Sequence, residues 1–390
     1  MKMVKLPVAF VPLVDAAPLI VAEEMGFARE EGIALDLVAA PSWSSVRDML
    51  AFGRVDAAQL LSPVPVAMAL GLGGVTQPVS AVSVLSVNGN VIGVSRALED
   101  RLRAKGYGFD FHDAAGAARA LASVADRPLV FGVPFPFSMH VELLHYWLES
   151  SDLAQKGFEV RTVPPPLMVR ALAEGDVDAF CVGEPWGSAA VEAGAGALLL
   201  PGKAVWSFAP EKVLAVRTDW AETEPHLLGK LMRAVWRAGR WLDAPGHRTS
   251  AAEILAQKPY LDLPSEVVDR ALTGRLTISG HAEQRLVDGF VAFHEGAANF
   301  PWRSQAKWIA HRLAARLSLD EAEARARAAE VFRSDIYRAQ MAMTGADLPG
   351  ASEKLEGAIR EETAVASKKG GLLLPPDAFF DGRIFDPEKH

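Results

Sequence analysis

Apolar and polar positions follow two periods along the first half of the chain. Residues 8–11 form a short apolar run and read as a first buried strand that ends at a functional turn. Leu19, Ile20, Ala22 and Met25 recur at helical spacing within 18–27, and Gly26 stops that pattern. Residues 33–38 alternate like a strand. Residues 42–52 are helical, with Ser42 or Ser44 as N-cap and Gly53 as the stop, and 55–61 form another strand. Such alternation predicts βαβ units and a parallel sheet. From about residue 222 the pattern turns helical, over 226–242, 249–257, 264–272, 304–317 and 319–340, with Ser304 and Ser318 as N-caps of the last two. The tail from Gly370 carries Phe379, Phe380 and Phe385, which predict docking on the body.

An internal repeat organises the first half. Leu-Ala-Phe-Gly-Arg-Val-Asp-Ala at 50–57 resembles Leu-Ala-Glu-Gly-Asp-Val-Asp-Ala at 172–179, an offset of 122 residues. The same offset places Pro63 on Pro185, and Trp43 and Ser44 on Pro165 and Pro166. Gly-x-Val-Asp-Ala is a common helix-to-strand link, but the longer match favours two copies of one unit. The 390 residues accommodate two domains, assigned to 1–87 plus 210–390 and to 88–209. Two α/β domains facing each other form a cleft walled by strand carboxyl ends and helix N-termini, where anions are favoured.

Composition narrows the class. With 40 Lys and Arg against 48 Asp and Glu, the net charge of −8 argues against a general nucleic-acid surface. One cysteine, Cys181, allows no intrachain disulfide and no Cys/His zinc motif. It reads as a small buried hydrophobe. No run approaches a membrane span, and Pro7, Pro12 and Asp15 interrupt the first apolar stretch, so neither a membrane anchor nor a secretory leader is expected and the protein is placed in the cytoplasm. Gly-x-Ser-x-Gly, the P-loop and His-Glu-x-x-His are absent, and Gly71–Gly74 is a poor dinucleotide fingerprint. Asp56 and Asp178 sit at strand starts, where an Asp usually caps a turn. The histidines lack metal-ligand spacing. The expectation is a binding protein, without metal or cofactor, rather than an enzyme.

Several polar residues admit both a functional and a structural reading. Glu184 stands at a strand carboxyl end beside Gly183, as a cap or as a site residue. Lys212 opens the strand-like run 213–216, as an anion contact or as a solvated lysine. Trp43 is a wall for a planar ligand or core, His140 a ligand or a satisfied histidine, and Asn88-Gly89-Asn90 a turn or an amide donor.

Residues 11–19, Ala40-Pro41-Ser42-Trp43, Val163-Pro164-Pro165-Pro166, Asp178–Trp186 and Pro210-Glu211-Lys212 resemble the nitrate-binding proteins. That family includes the cyanobacterial nitrate and bicarbonate transport receptors and the nitrate sensor NasS. The resemblance continues through Phe300-Pro301-Trp302 to Phe379–Gly382. It implies a type II periplasmic-binding-protein-like fold, two α/β domains closing on a ligand, with a helical C-terminal region. It further implies an anion cleft in which Trp43 is an aromatic wall, His140 a contact, and Pro166, Gly183 and Glu184 the lining from the second domain. Lys212 then carries the charge contact and favours nitrate or nitrite over bicarbonate. Asn90 stands at the position of a Gln in the receptors, with a shorter reach. Glu184 is expected to orient Lys212 or His140, or to accept from a backbone amide. A histidine titrating near neutrality predicts that anion affinity falls as pH rises. Only ten residues precede Val11, which points to the cytoplasmic sensor branch. The resemblance implies that such a sensor holds a NasT-type ANTAR-domain antiterminator and releases it on nitrate or nitrite. The alternative is the receptor of an ABC nitrate or bicarbonate importer.

Overall fold

The computed structural model describes residues 3–389. Ten main strands fall into two sheets: β1 (Val4–Phe10), β2 (Ile33–Ala39), β3 (Ala57–Leu61), β4 (Val79–Asn88), β5 (Asn90–Ser95), β6 (Leu129–Val133), β7 (Phe158–Thr162), β8 (Ala179–Gly183), β9 (Gly196–Pro201) and β10 (Pro210–Arg217). One sheet runs β4-β10-β3-β1-β2, with the short strand Val291–Ala292 on the β4 edge; the other runs β7-β6-β8-β5-β9. In the first, β1 is parallel to β2 and β3, and β10 is antiparallel to β3 and β4. In the second, β6 is parallel to β7 and β8, and β5 is antiparallel to β8 and β9. The two sheets therefore repeat one pattern, with β3 corresponding to β8. The repeat seen in the sequence is the helix and turn that lead into those two strands, and Gly53 and Gly175 end the helices at φ 68° and 78°. The chain passes between sheets at Gly89 and again between β9 and β10. This is the two-lobed α/β architecture of the binding-protein fold.

The strands are apolar because both faces of each sheet are covered: β3, β4, β8 and β9 are buried at every position. The helix Pro225–Asp243 packs on the first lobe against Ala17–Glu24. The helix Arg303–Leu317 instead reaches the second lobe. Its Arg316 donates to Glu142 (2.7 Å) and Arg312 to Glu149 (2.6 Å), both on the helix Met139–Glu149. The tail docks as expected: Phe379 stacks on Trp206 at 4.8 Å between ring centroids, and Tyr146 donates to Asp381 at 2.9 Å.

Two details depart from the helical reading of the C-terminal part. The stretch expected to be one helix over 319–340 is two, Glu321–Ala329 and Ser334–Met341. Between them Val331 and Arg333 exchange backbone bonds with Ala81, so the segment adds to the β4 edge instead of continuing the helix. Neither expected serine cap forms. Asp320 caps Glu321–Ala329 by accepting from the Glu323 amide, while Ser318 takes φ 56° at the end of the preceding helix and Ser304 donates to Glu356. Among the described residues, no helix is long and apolar enough to cross a membrane.

Candidate functional site

The carboxyl ends of the parallel strands in both sheets converge on one buried cluster, as open α/β sheets generally arrange their ligand crevices. From the first lobe, Asp15 follows β1, Trp43 opens the helix after β2, and Glu211 and Lys212 begin β10 beside the end of β3. From the second, His140 lies in the first turn of the helix after β6, Gly183 ends β8, and Asn90 begins β5 opposite it. Local chemistry sets each position. The Ser42 hydroxyl accepts from the Ser45 amide at 3.2 Å and starts the helix at Trp43. The Ser138 hydroxyl accepts from the Val141 amide (3.3 Å) and donates to the Phe135 carbonyl (2.7 Å), fixing the turn that holds His140.

Lys212 Nζ lies 2.6 Å from Asp15 Oδ2, 2.9 Å from Glu211 Oε1 and 5.3 Å from the centroid of the Trp43 ring. Glu211 Oε1 is also 3.4 Å from His140 Nδ1, and Glu211 Oε2 accepts from Asn90 Nδ2 at 2.7 Å. Gln59 braces the far side: its amide donates to Asp15 Oδ1 (2.5 Å) and accepts from the Val11 amide (3.0 Å). Asp15, Trp43, His140, Glu211 and Lys212 are each at most 1% exposed. Neighbours on a strand normally face opposite sides, yet Glu211 and Lys212 share this cluster. The register between β10 and β4 slips on both sides of Lys212, a bulge that re-aims the two side chains.

Burial pushes the Asp15 and Glu211 carboxyls up, with Lys212 pulling the other way. Burial also opposes the Lys212 charge, but the two carboxylates outweigh it and the ammonium is held above its ordinary range. Burial and the nearby Lys212 charge keep His140 well below the ordinary imidazole range. The imidazole is therefore neutral here near pH 7, and the expectation of an unperturbed histidine does not hold.

Among the described residues, Trp43 Nε1 and both ring nitrogens of His140 are buried without a hydrogen-bond partner. The indole nitrogens of Trp186, Trp206 and Trp302 are unpartnered as well; what distinguishes Trp43 and His140 is that their open nitrogens stand beside a buried ammonium where the two lobes meet. Gly183 opens that place. A Cβ there would stand 3.3 Å from Leu13 Cδ2, 3.4 Å from Asp15 Oδ2 and 4.0 Å from His140 Nε2. An indole N–H, an imidazole and an ammonium over a side-chain-free strand end can surround a small acceptor-rich anion.

The expected site residues thus divide. Trp43, His140, Gly183 and Lys212 come together. Asn90 lies beside them; its amide nitrogen donates to Glu211, and its side-chain oxygen is buried without a partner. Glu184 orients neither Lys212 nor His140; Asp15 and Glu211 hold the lysine, and Glu211 faces the histidine. The Glu184 carboxylate turns to its own helix, Trp186–Glu192, and accepts from the Ser188 amide at 3.1 Å, while burial pushes it up to about 7. Its carbonyl accepts from the Val14 amide (3.1 Å), so the backbone rather than the side chain links the lobes. Pro166 is exposed and lines a surface groove with Arg127 and Asp178, apart from the cluster. Asp178 is structural as read: it pairs with Arg127 at 2.7 Å and accepts from the Val130 amide at 2.9 Å. Sequence reasoning gave no role to Asp15, Glu211 or Gln59. The first two stand within the stretches singled out, but nothing local shows that they meet. Among the described residues, no group of three or more His, Cys, Asp or Glu is placed to hold a metal ion.

Comparison with known proteins agrees with this fold. The profile of the NMT1-like family matches residues 2–256. The chain is 34% identical over 322 residues to the nitrate import ATP-binding protein NrtC of Synechocystis sp., covering 80% of this chain and 46% of that protein, so it spans about half the length of that relative. It is 27% identical to the nitrate/nitrite binding protein NrtA of Nostoc sp., over 99% of this chain and 83% of that one. The crystal structure of the periplasmic nitrate-binding protein NrtA from Synechocystis superposes with a TM-score of 0.83 at 26% identity, covering 99% of this chain and 96% of that chain. The chain belongs to the NMT1-like family and is a homologue of the NrtA-type binding proteins.

Proposed function

We propose that the chain binds nitrate or nitrite between its two lobes, at Lys212, His140 and Trp43, and acts by binding rather than by catalysis. One observation carries the reading: buried, unpartnered Trp43 and His140 nitrogens stand with a buried ammonium where the strand ends of both sheets meet. Nitrate is flat, monovalent and accepts around its whole rim, so it suits a few fixed donors in a dry site. The NrtA relatives, named for nitrate and nitrite binding, support the same ligand. Calorimetry with nitrate on the wild type and on Lys212→Ala, with bicarbonate and sulfate as controls, tests it. Selective nitrate binding that weakens roughly 100-fold in the variant is expected. No binding of nitrate or nitrite at millimolar concentration would sink the reading.

For its role, we propose a sensor of the NasS type, one of the branches that the residue resemblance set out above includes. The ligand-free protein holds a NasT-type RNA-binding antiterminator, and the anion releases it. By linkage, the partner must then weaken anion binding by the factor by which the anion weakens the partner. Co-purification of the two proteins with and without nitrate tests this role, and a complex indifferent to nitrate would end it. A second reading, the receptor of an ABC importer, is favoured by the near full-length match to NrtA. Nitrate-dependent docking on an importer's membrane component would select it.

A further inference from the structure

The one ammonium of the cluster stands between two carboxylates, Asp15 and Glu211. Among the described residues, no second lysine or arginine pairs with either of them. With both carboxyls ionised, a monovalent anion seated against Lys212 brings three buried negative charges against one positive charge. Uncompensated buried charge is strongly unfavourable, and the smallest compensating charge is a proton. We infer that the anion is bound together with one proton, that His140 carries it, and that the site accordingly selects monovalent oxyanions. The inference rests on the anion reading above.

His140 is the group with a place for that proton. Both its ring nitrogens lack partners, and Nδ1 already stands 3.4 Å from Glu211 Oε1. As an imidazolium it donates Nδ1–H to Glu211 and presents Nε2–H toward the space left by Gly183. Three of the four carboxylate oxygens accept hydrogen bonds, Asp15 Oδ1 from Gln59, Glu211 Oε2 from Asn90 and Glu211 Oε1 from Lys212, and Asp15 Oδ2 makes only its ion pair with Lys212 at 2.6 Å. The other charges on elements packed against this helix are occupied. Arg312 and Arg316 are held by Glu149 and Glu142, on the same helix as His140. Arg119 lies 3.8 Å from Asp113, and Lys156 donates to two carbonyls. On β8, Cys181 has its thiol pushed well up by burial and stays neutral.

The sign follows from linkage. Burial and Lys212 keep the imidazole neutral before the anion arrives. A neighbouring anion raises its proton affinity. Between the free and bound values, each anion takes up a proton, and affinity falls as pH rises by up to about tenfold per pH unit. A dianion such as sulfate would need two protons where the site offers one.

Nitrate calorimetry in two buffers of different ionisation heat counts the protons, and repeating it from about pH 6 to 8.5 gives the profile. Close to one proton taken up per nitrate is expected near neutral pH, with affinity falling as pH rises and sulfate failing to compete. His140→Gln should bind more weakly, with no proton uptake and a flat profile. Glu211→Gln, which leaves one carboxylate against the ammonium, should bind nitrate without proton uptake; circular dichroism checks that each variant is folded, and either folded variant decides. Nitrate bound by the wild type with no proton exchange would overturn the inference, as would uptake retained in His140→Gln. No nitrate bound at all would instead remove the anion reading on which it rests.

Discussion

Two buried lysines in this protein look alike and do different things. Lys212 stands between Asp15 and Glu211 with the Trp43 ring 5.3 Å away; Lys354 stands between Glu356 and Asp377 with the Trp302 ring 5.8 Å away. Around Lys354 every carboxylate oxygen has a donor. Ser304 serves Glu356 (2.6 Å), the Ile359 amide serves Asp377 (2.8 Å), and the lysine completes both. All of these groups belong to the C-terminal region, and the lysine side chain is 12% exposed. The cluster pins the tail to the helix Arg303–Leu317. Around Lys212 the lysine side chain is fully buried, the groups come from both lobes, and a neighbouring histidine has neither ring nitrogen bonded. The lesson is that a lysine flanked by carboxylates is not by itself a site. The Trp302 indole nitrogen is as unpartnered as that of Trp43, so a single unspent donor does not separate a staple from a site; the open histidine and the position of the cluster between two lobes do.

The largest test of that contrast pairs Lys212→Met with Lys354→Met. Each leaves two buried carboxylates without their cation and should lower stability by about 3–5 kcal/mol, read by denaturant unfolding. Only Lys212→Met should also abolish nitrate binding; loss of binding in a folded Lys354→Met protein would erase the distinction.

Next comes Gly183→Ala. The added methyl meets Leu13 and Asp15 at 3.3–3.4 Å in the space the anion needs, while the backbone there suits any residue. Nitrate affinity should fall by roughly tenfold or more, with melting changed little.

Glu184 provides a pH test of its structural role. Its native value of about 7 lies above the ordinary 4.5, so the folded state binds the extra proton between those values. That contribution to stability is fully present below the unfolded value and is lost as pH rises through about 7, with a slope near 1.4 kcal/mol per pH unit. Glu184→Gln should remove this slope from the pH dependence of unfolding and leave nitrate affinity largely intact. A variant that loses affinity instead would return Glu184 to the site.

The smallest effect is expected at Pro166. It is exposed in a groove away from Lys212, so Pro166→Ala should change nitrate affinity by less than about twofold, an effect within 0.5 kcal/mol. A larger loss by calorimetry would bring that groove into the site.

Much of the architecture was legible. The repeat at 50–57 and 172–179 marks the same turn into β3 and β8, and strands joined by capped helices imply open parallel sheets. Local signals worked where the cause is local: Ser42 caps its helix, and the Gly residues end theirs. They failed where a distant partner intervened. The broken helix after residue 319 exchanges its hydrogen bonds for pairing with Ala81, and Ser304 gives up its capping role for Glu356. Trp43, His140, Gly183 and Lys212, which the structure brings together, were singled out through family resemblance, since each alone had an ordinary structural reading as well. Asn90, Glu184 and Pro166 shared that resemblance, but Asn90 donates to Glu211 within the cluster, and the Glu184 and Pro166 side chains lie elsewhere.

By itself, then, the sequence determined a repeated α/β unit and a helical C-terminal region, because periodicity and caps act over a few neighbours, while the residues suited to a small anion came from family resemblance. Tertiary structure alone decided that Asp15 and Glu211 hold Lys212, that a bulge turns Glu211 and Lys212 into one cluster, and that His140 faces Glu211 from the other lobe. Those facts depend on which strand ends converge, and on charges that interact strongly only once burial has removed the water between them.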